Sequence, residues 1–157
     1  MKNCIFAIVL CFALLCSSAC GKEKNADEIL RNFCASYRGP QGTVYSSEEK
    51  ENSKNHLGES TLLTLYGERE LPMYHSCAVM LFADIDSISE CGVFVIRGGA
   101  GKLYDIEKTQ EMFRYRLRQI SLIFPQSKGK ILRYGNVVVY IVSEDNERAE
   151  RLFSRLI

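Results

Sequence analysis

The most constraining feature of this chain is the apolar run at residues 4–16, which decides how much of the sequence can fold into a domain. Lys2 precedes the run, and the small residues 17–19 and then Cys20 follow it. A basic start, a short apolar run and small residues before a polar stretch are typical of a secretory signal. The sequence therefore predicts that residues 1–19 are a signal peptide and are absent from the mature chain.

Cys20 at the first mature position predicts a bacterial lipoprotein signal, with a lipid anchor on this cysteine and a polar tether at residues 20–25. Ser18 and Ala19 match the small positions of such a signal, whereas Ser17 stands where leucine is usual. Cleavage after Ala19 by an ordinary signal peptidase is the alternative. A transmembrane anchor is disfavoured because a spanning helix needs about 20 apolar residues. Two acyl chains hold a protein on a membrane, whereas one binds marginally.

The composition of the mature chain limits the classes of partner that it can bind. Residues 1–20 contain one of the 20 Lys and Arg residues and none of the 19 acidic residues, so the mature chain is neutral. Neutrality argues against nucleic acid as a partner, since nucleic-acid binding depends on a basic surface, and against a polybasic membrane contact. The remaining length is that of one domain with its own core, which we assign to residues 26–157.

Three cysteines remain in the mature chain after Cys20, and three is an odd number. They are Cys34, Cys77 and Cys91. Their spacing matches no zinc pattern of the C-x-x-C type. The sequence favours buried thiols that behave as small apolar residues. A Cys77–Cys91 disulfide is the alternative in an oxidising compartment.

Hydrophobic periodicity predicts the elements of the first half of the domain. Residues 26–38 place their apolar side chains on one helical face. Residues 41–58 are mostly polar and predict a solvent-exposed loop. Residues 59–66 predict a short helix that ends at a glycine. Two apolar runs, residues 73–82 and 91–97, predict strands.

A glycine-rich turn at residues 98–102 leads into the strongest helical pattern, residues 105–124. The turn is not a phosphate loop, because the first glycine and the final hydroxyl residue of that motif are missing. Asp105 is the predicted N-cap of the helix. The basic residues of the helix, among them Arg116, are predicted to be solvated.

The last part of the chain predicts a hairpin and a final helix. The hairpin strands are residues 130–134 and 136–142, and the second strand is predicted to be central and covered on both faces. Ser143 is the predicted cap of the last helix. The order α-α-β-β-α-β-β-α predicts an α+β domain, with an antiparallel sheet of about four strands and helices packed mainly on one face.

The layout resembles the small bacterial lipoproteins that carry domain-of-unknown-function family 4358. The resemblance covers residues 26–157 and depends on the order of short motifs: Leu65-Tyr66-Gly67, the strand at residues 90–96, the turn and long helix at residues 98–124, Gly135-Asn136-Val137-Val138, and Ser143-Glu144-Asp145. The resemblance implies an anchored envelope protein. It implies no activity and no site residues, because the family has none established.

The sequence contains no catalytic constellation, so we expect a non-enzymatic binding or accessory protein of the cell envelope. We expect it to be exported and membrane-anchored through Cys20, with the domain on the extracytoplasmic side and an envelope protein or small ligand as partner. No cofactor is expected. The alternative is a small envelope hydrolase or metal-dependent enzyme that uses His75, Cys77 and Cys91, or His56 with Glu59. A Cys–His pair can form an activated nucleophile, and His75, Cys77 and Cys91 could hold a metal. His75 and Cys77 are two residues apart, so on a strand they are expected to share a face. A small-molecule carrier is a third interpretation.

Overall fold

The computed structural model describes residues 24–40, 42–83 and 88–157. The predicted signal peptide at residues 1–19 and the predicted lipidation site Cys20 lie outside the described residues. The elements are α1 (Ala26–Ser36), β1 (Thr43–Ser46), α2 (Glu59–Tyr66), β2 (Tyr74–Ala83), β3 (Ile88–Ile96), α3 (Lys102–Ile123), β4 (Gly129–Tyr134), β5 (Val137–Val142) and α4 (Asn146–Leu156).

The strands form one sheet in the order β1-β2-β3-β5-β4, and every pairing is antiparallel. The predicted α+β class with an antiparallel sheet is therefore confirmed, with five strands instead of about four. β5 lies between β3 and β4, and all six of its residues are buried. Its unbroken apolar run reflects this interior position, as predicted.

The helices cover both faces of the sheet, two on each, which corrects the prediction that they pack mainly on one face. On one face α1 and α4 pack on the first core, which contains Phe33 and Phe153 with their rings stacked 4.2 Å apart. On the other face α2 and α3 pack on the second core, where Tyr66 and Phe113 meet the sheet residues Phe94 and Tyr140. The apolar character of both faces of β3 and β5 requires both layers.

The segment predicted as a polar loop, residues 41–58, contains the edge strand β1. Val44 packs against the first core and Tyr45 against the second, so the strand has one sizeable apolar residue for each face. Ser46 is buried, and its carbonyl accepts the N–H of Leu57 at 2.9 Å. A four-residue strand with only two sizeable apolar residues shows too little alternation of apolar and polar side chains to be distinguished from a loop by sequence.

Two predicted caps are replaced by other residues. α3 begins at Lys102 with Gly101 as N-cap, so Asp105 lies in its first turn, where its carboxylate accepts the N–H of Met73 at 2.9 Å. Asp145, not Ser143, caps α4 by accepting the N–H of Arg148. At both helix starts a polar side chain accepts a backbone N–H, as helix termini require. At α3 that N–H belongs to Met73, outside the helix, and at α4 the accepting side chain is Asp145 instead of Ser143.

The chain reaches the domain at what we call the upper end of the sheet, where β2 and β5 begin and β3 and β4 end. Lys24 donates to the carbonyl of Leu156 at 2.6 Å, and Asn25 caps α1 by accepting the N–H of Glu28. The N–H of Ala26 donates to Ser76 Oγ at 2.9 Å, near the start of β2. The last two residues of the predicted tether therefore form hydrogen bonds with this end of the domain.

Candidate functional site

An open groove of about 460 Å³ lies at the upper end of the sheet. The start of β2 and the residues before it form its floor, and the residues that follow β1, begin α2 and follow β3 complete it. Three glutamates line it, Glu48, Glu59 and Glu70, together with His75 and Arg97. Glu70 is paired with Lys108 of α3 at 3.2 Å. The groove therefore combines carboxylates with an imidazole and a guanidinium, on a surface that solvent reaches.

A β-bulge decides which side chains of β2 meet. Tyr74 pairs with Ile96 and Ser76 with Val95, so His75 is an extra residue without a partner in the register. The extra residue turns Tyr74 toward the second core, where its ring contacts Phe94 edge-on at 5.4 Å. His75 is left exposed in the groove. A bulge redirects a side chain in this way because two residues oppose one.

Cys77 is buried in the second core, where Tyr74 hydrogen-bonds its thiol, whereas His75 is exposed in the groove. The Cys–His pair considered from the sequence is therefore not formed between these two described residues. Burial raises the pKa of the Cys77 thiol to about 12, although hydrogen bonds with Ser47 and Tyr74 act in the opposite direction. A nucleophilic cysteine needs a lowered pKa. This environment therefore keeps Cys77 as a protonated thiol.

The predicted alternative of a Cys77–Cys91 disulfide is wrong, because the two thiols are free and lie on opposite faces of the sheet. Cys77 pairs in register with Phe94, whereas Cys91 pairs with Met80. The same separation prevents His75, Cys77 and Cys91 from forming one metal site. Within residues 24–40, 42–83 and 88–157, no group of three or more His, Cys, Asp or Glu side chains could hold a metal ion.

A buried polar cluster that the sequence reasoning missed lies under α3. Arg116 donates from Nε and Nη2 to the two carboxylate oxygens of Glu90, each at 2.7 Å. The hydroxyl of Tyr140 donates to the same carboxylate. Burial lowers the pKa of Arg116, but the hydrogen bonds and charge of Glu90 outweigh it and hold that pKa above its usual value. Burial, followed by the charge of Glu90, raises the pKa of Tyr140 well above 10.

The arrangement of strands β3 and β5 explains how the cluster forms. Glu90, Gly92 and Phe94 alternate onto the α3 face of β3, and Gly92 lies directly opposite Tyr140. Because Gly92 has no Cβ, the Tyr140 ring lies over it and the hydroxyl reaches Glu90, two residues further along. The only sequence signal was a glutamate inside an apolar strand, since a buried carboxylate needs a partner.

The Glu90 cluster holds the fold together and is not a reaction site in this conformation. Glu90 is 1 % exposed, so no substrate reaches its carboxylate. Its charge is matched by Arg116, and both of its oxygens accept hydrogen bonds, Oε1 also from the Tyr140 hydroxyl. A fully paired buried carboxylate of this kind is the arrangement that avoids an uncompensated charge. The exposed groove, not this cluster, is therefore the candidate functional site.

In the part of the chain that the structure describes, no helix is both long enough and apolar enough to cross a membrane. No protein-family model, curated protein or solved structure matches this chain. The resemblance to the family 4358 lipoproteins therefore stays a prediction from the motifs in the sequence.

Proposed function

We propose that this chain is an exported lipoprotein, anchored to the cell membrane through lipid on Cys20, and that its domain is a non-enzymatic binding or accessory module on the extracytoplasmic side. The sequence of residues 1–20 supplies the anchor. The groove at the upper end of the sheet supplies the binding surface. An envelope protein or a small ligand is the proposed partner.

The observation that carries the anchor is the short distance in sequence between Cys20 and the packed domain. α1 begins at Ala26, and its first residue is already fully buried. Lys24 contacts the last turn of α4. The folded domain therefore begins six residues after the proposed lipid site. Two acyl chains on Cys20 are enough to hold a domain so close to it at the membrane.

The chemistry of the groove favours a ligand that carries positive charge beside an apolar part. Glu48 and Glu59 present carboxylates that form no ion pair with the other described residues. Leu71, which is partly exposed, provides apolar surface in the same groove. Complementary charge of this kind sets the specificity and the association rate of a partner more than its affinity.

Intact-mass measurement of the protein recovered from membranes tests the anchor. We expect a chain that begins at Cys20 and carries the mass of its acyl chains, and a Cys20→Ala variant that carries none. A lipid-free chain that begins at Cys20, or release of the unmodified protein into the medium, would contradict the anchor.

Site-specific photo-crosslinking in cells tests the groove. A photoreactive residue in place of His75 should give an adduct that the same residue in place of Leu122 does not give. Leu122 is a suitable control because it is 83 % exposed at the other end of α3. Reversing the groove charge with Glu59→Lys should remove the adduct. Equal labelling from both positions, or an adduct that survives Glu59→Lys, would mean that the groove is not the binding surface.

A further inference from the structure

We infer that the upper end of the sheet rests on the bilayer, with the side chains of Met73, Leu103 and Tyr104 inserted at the level of the lipid headgroups. This inference deepens the proposed function and rests on its lipid anchor. It adds the orientation of the domain on the membrane and a second contact with lipid that the anchor alone does not require.

The tether limits how far the upper end can stand from the membrane. Four residue steps separate Cys20 from Lys24, whose side chain donates to the last turn of α4. Four steps of extended chain span at most about 14 Å. Lys24 and the start of α1 lie at the upper end, next to Ser76 and the last turn of α4. The anchor therefore holds this end, and not the opposite one, beside the bilayer.

The same end carries three large apolar side chains that the domain leaves uncovered. Met73 is 61 % exposed, Leu103 65 % and Tyr104 64 %. Met73 immediately precedes β2, and the other two lie in the first turn of α3. The Met73 N–H donates to Asp105 in that turn, and the Met73 carbonyl accepts the N–H of Arg97 at 3.1 Å. These bonds hold the three side chains on one surface, which we call the upper patch.

The chemistry of the upper patch fits a bilayer surface. Tyrosine concentrates where membrane meets water, because its ring is apolar and its hydroxyl is polar. Lys102 immediately precedes Leu103, and Arg97 lies beside Met73, where its Nε donates to the Tyr74 carbonyl. No ion pair among the described residues uses either cation. Their charges are therefore open to anionic headgroups. Met73 and Arg97 also line the edge of the groove, whose three glutamates lie at the same end of the sheet, so the contact with the bilayer depends mainly on apolar insertion and not on charge.

Tryptophan fluorescence on the lipidated full chain tests the orientation directly, because the protein contains no tryptophan. Tyr104→Trp places one fluorophore in the upper patch. Leu122→Trp places one on a still more exposed apolar position at the far end of α3. Each variant is reconstituted into vesicles of phosphatidylethanolamine and phosphatidylglycerol, with or without bromine on the acyl chains, after intact mass has confirmed its lipid.

We expect the brominated lipids to lower the emission of Tyr104→Trp about twofold or more, because side chains that insert at an interface reach the headgroup–acyl boundary. Emission from Leu122→Trp should stay unchanged. Adding Met73→Ser and Leu103→Ser to Tyr104→Trp should reduce the quenching without altering the circular dichroism, since both residues are exposed.

Equal quenching at the two tryptophan positions, or quenching at neither, would overturn the inference while the verified lipid leaves the anchor standing. A chain that carries no lipid would instead overturn the anchor and this inference together.

Discussion

Arg116 of α3 forms a bidentate ion pair with Glu90 of β3, with both N–O distances at 2.7 Å. The Glu90 side chain is 2 % exposed and that of Arg116 20 %. The pair therefore connects the long helix to the middle strand of the sheet from within the protein. Its geometry is the planar, two-bond match that a guanidinium makes with a carboxylate and that an ammonium cannot make.

Removing Arg116 should destabilise the domain more than any surface substitution. Arg116→Met leaves the Glu90 carboxylate buried without its counter-charge, which costs about 3–5 kcal/mol in comparable cases. Combining it with Glu90→Gln should recover part of the loss, because no unpaired charge remains. Urea unfolding of the domain from residue 21 onward, followed by circular dichroism, measures both. A loss below about 1 kcal/mol for Arg116→Met would place the pair among weak surface ion pairs.

Two buried tyrosines that contact the same cluster should respond differently to loss of their hydroxyl groups. The Tyr140 hydroxyl donates to Glu90, so Tyr140→Phe should cost about 1.5–3 kcal/mol, the range for hydrogen bonds to charged groups. The buried Tyr66 hydroxyl forms no well-aligned hydrogen bond with the other described residues. Tyr66→Phe should therefore be neutral or stabilising. The same unfolding measurement compares them, and an equal cost for both would contradict the assignment of the bond to Tyr140.

Gly92 is required by its cross-strand neighbour. A Cβ at this position would stand 2.8 Å from Cδ1 of Tyr140 and closer still to Cε1. Gly92→Ala should displace the ring, weaken its hydrogen bond to Glu90 and destabilise the domain by about 1–3 kcal/mol, as overpacking does. Gly98→Ala is the matched control, because a Cβ there meets nothing within 4 Å. Thermal unfolding of both variants is the measurement, and similar midpoints would refute the close approach.

The sequence predicted the regular elements well because their signals are local. The apolar runs of β3 and β5 and the amphipathic pattern of α3 each lie within one stretch of chain. Gly67 ends α2 with φ +65, the left-handed conformation that glycine adopts without strain. Pairing between residues that are distant in sequence could not be predicted. The edge strand β1, for example, forms because Thr43 to Ser46 pair with β2.

The site was harder to predict than the fold, because a single inserted residue changed its composition. Alternation along an ideal strand predicts His75 and Cys77 on one face, but the strand is bulged between Tyr74 and Ser76, and the Cys77 thiol bonds Tyr74 instead. Arg116 was predicted to be solvated because the helical pattern marks it as polar. Its actual position depends on Glu90, which is 26 residues away in sequence. Tertiary partners of this kind have no local signal.

The thiols of Cys77 and Cys91 should be nearly inert in the folded protein. Burial is the main cause of the pKa of Cys77 rising from 9.0 to about 12 and of that of Cys91 rising well above 9.0. A rise of about three pKa units lowers the thiolate fraction at neutral pH about a thousandfold. Since the thiolate is the reactive species, alkylation of Cys77 should be slower than that of an exposed thiol by at least this factor and should accelerate about tenfold for each unit of pH.

Ser121→Cys provides that exposed thiol on the outer surface of α3. Alkylation with iodoacetamide, followed over time by mass spectrometry of the digested protein, should label the introduced thiol in native buffer and leave Cys77 and Cys91 unlabelled. In urea all three thiols should react at similar rates, because unfolding removes the burial that raises the pKa of Cys77 and Cys91. A native rate at Cys77 close to that of the introduced thiol, or a peptide linked through Cys77 and Cys91 in an unreduced digest, would contradict the placement of the two native thiols in separate cores.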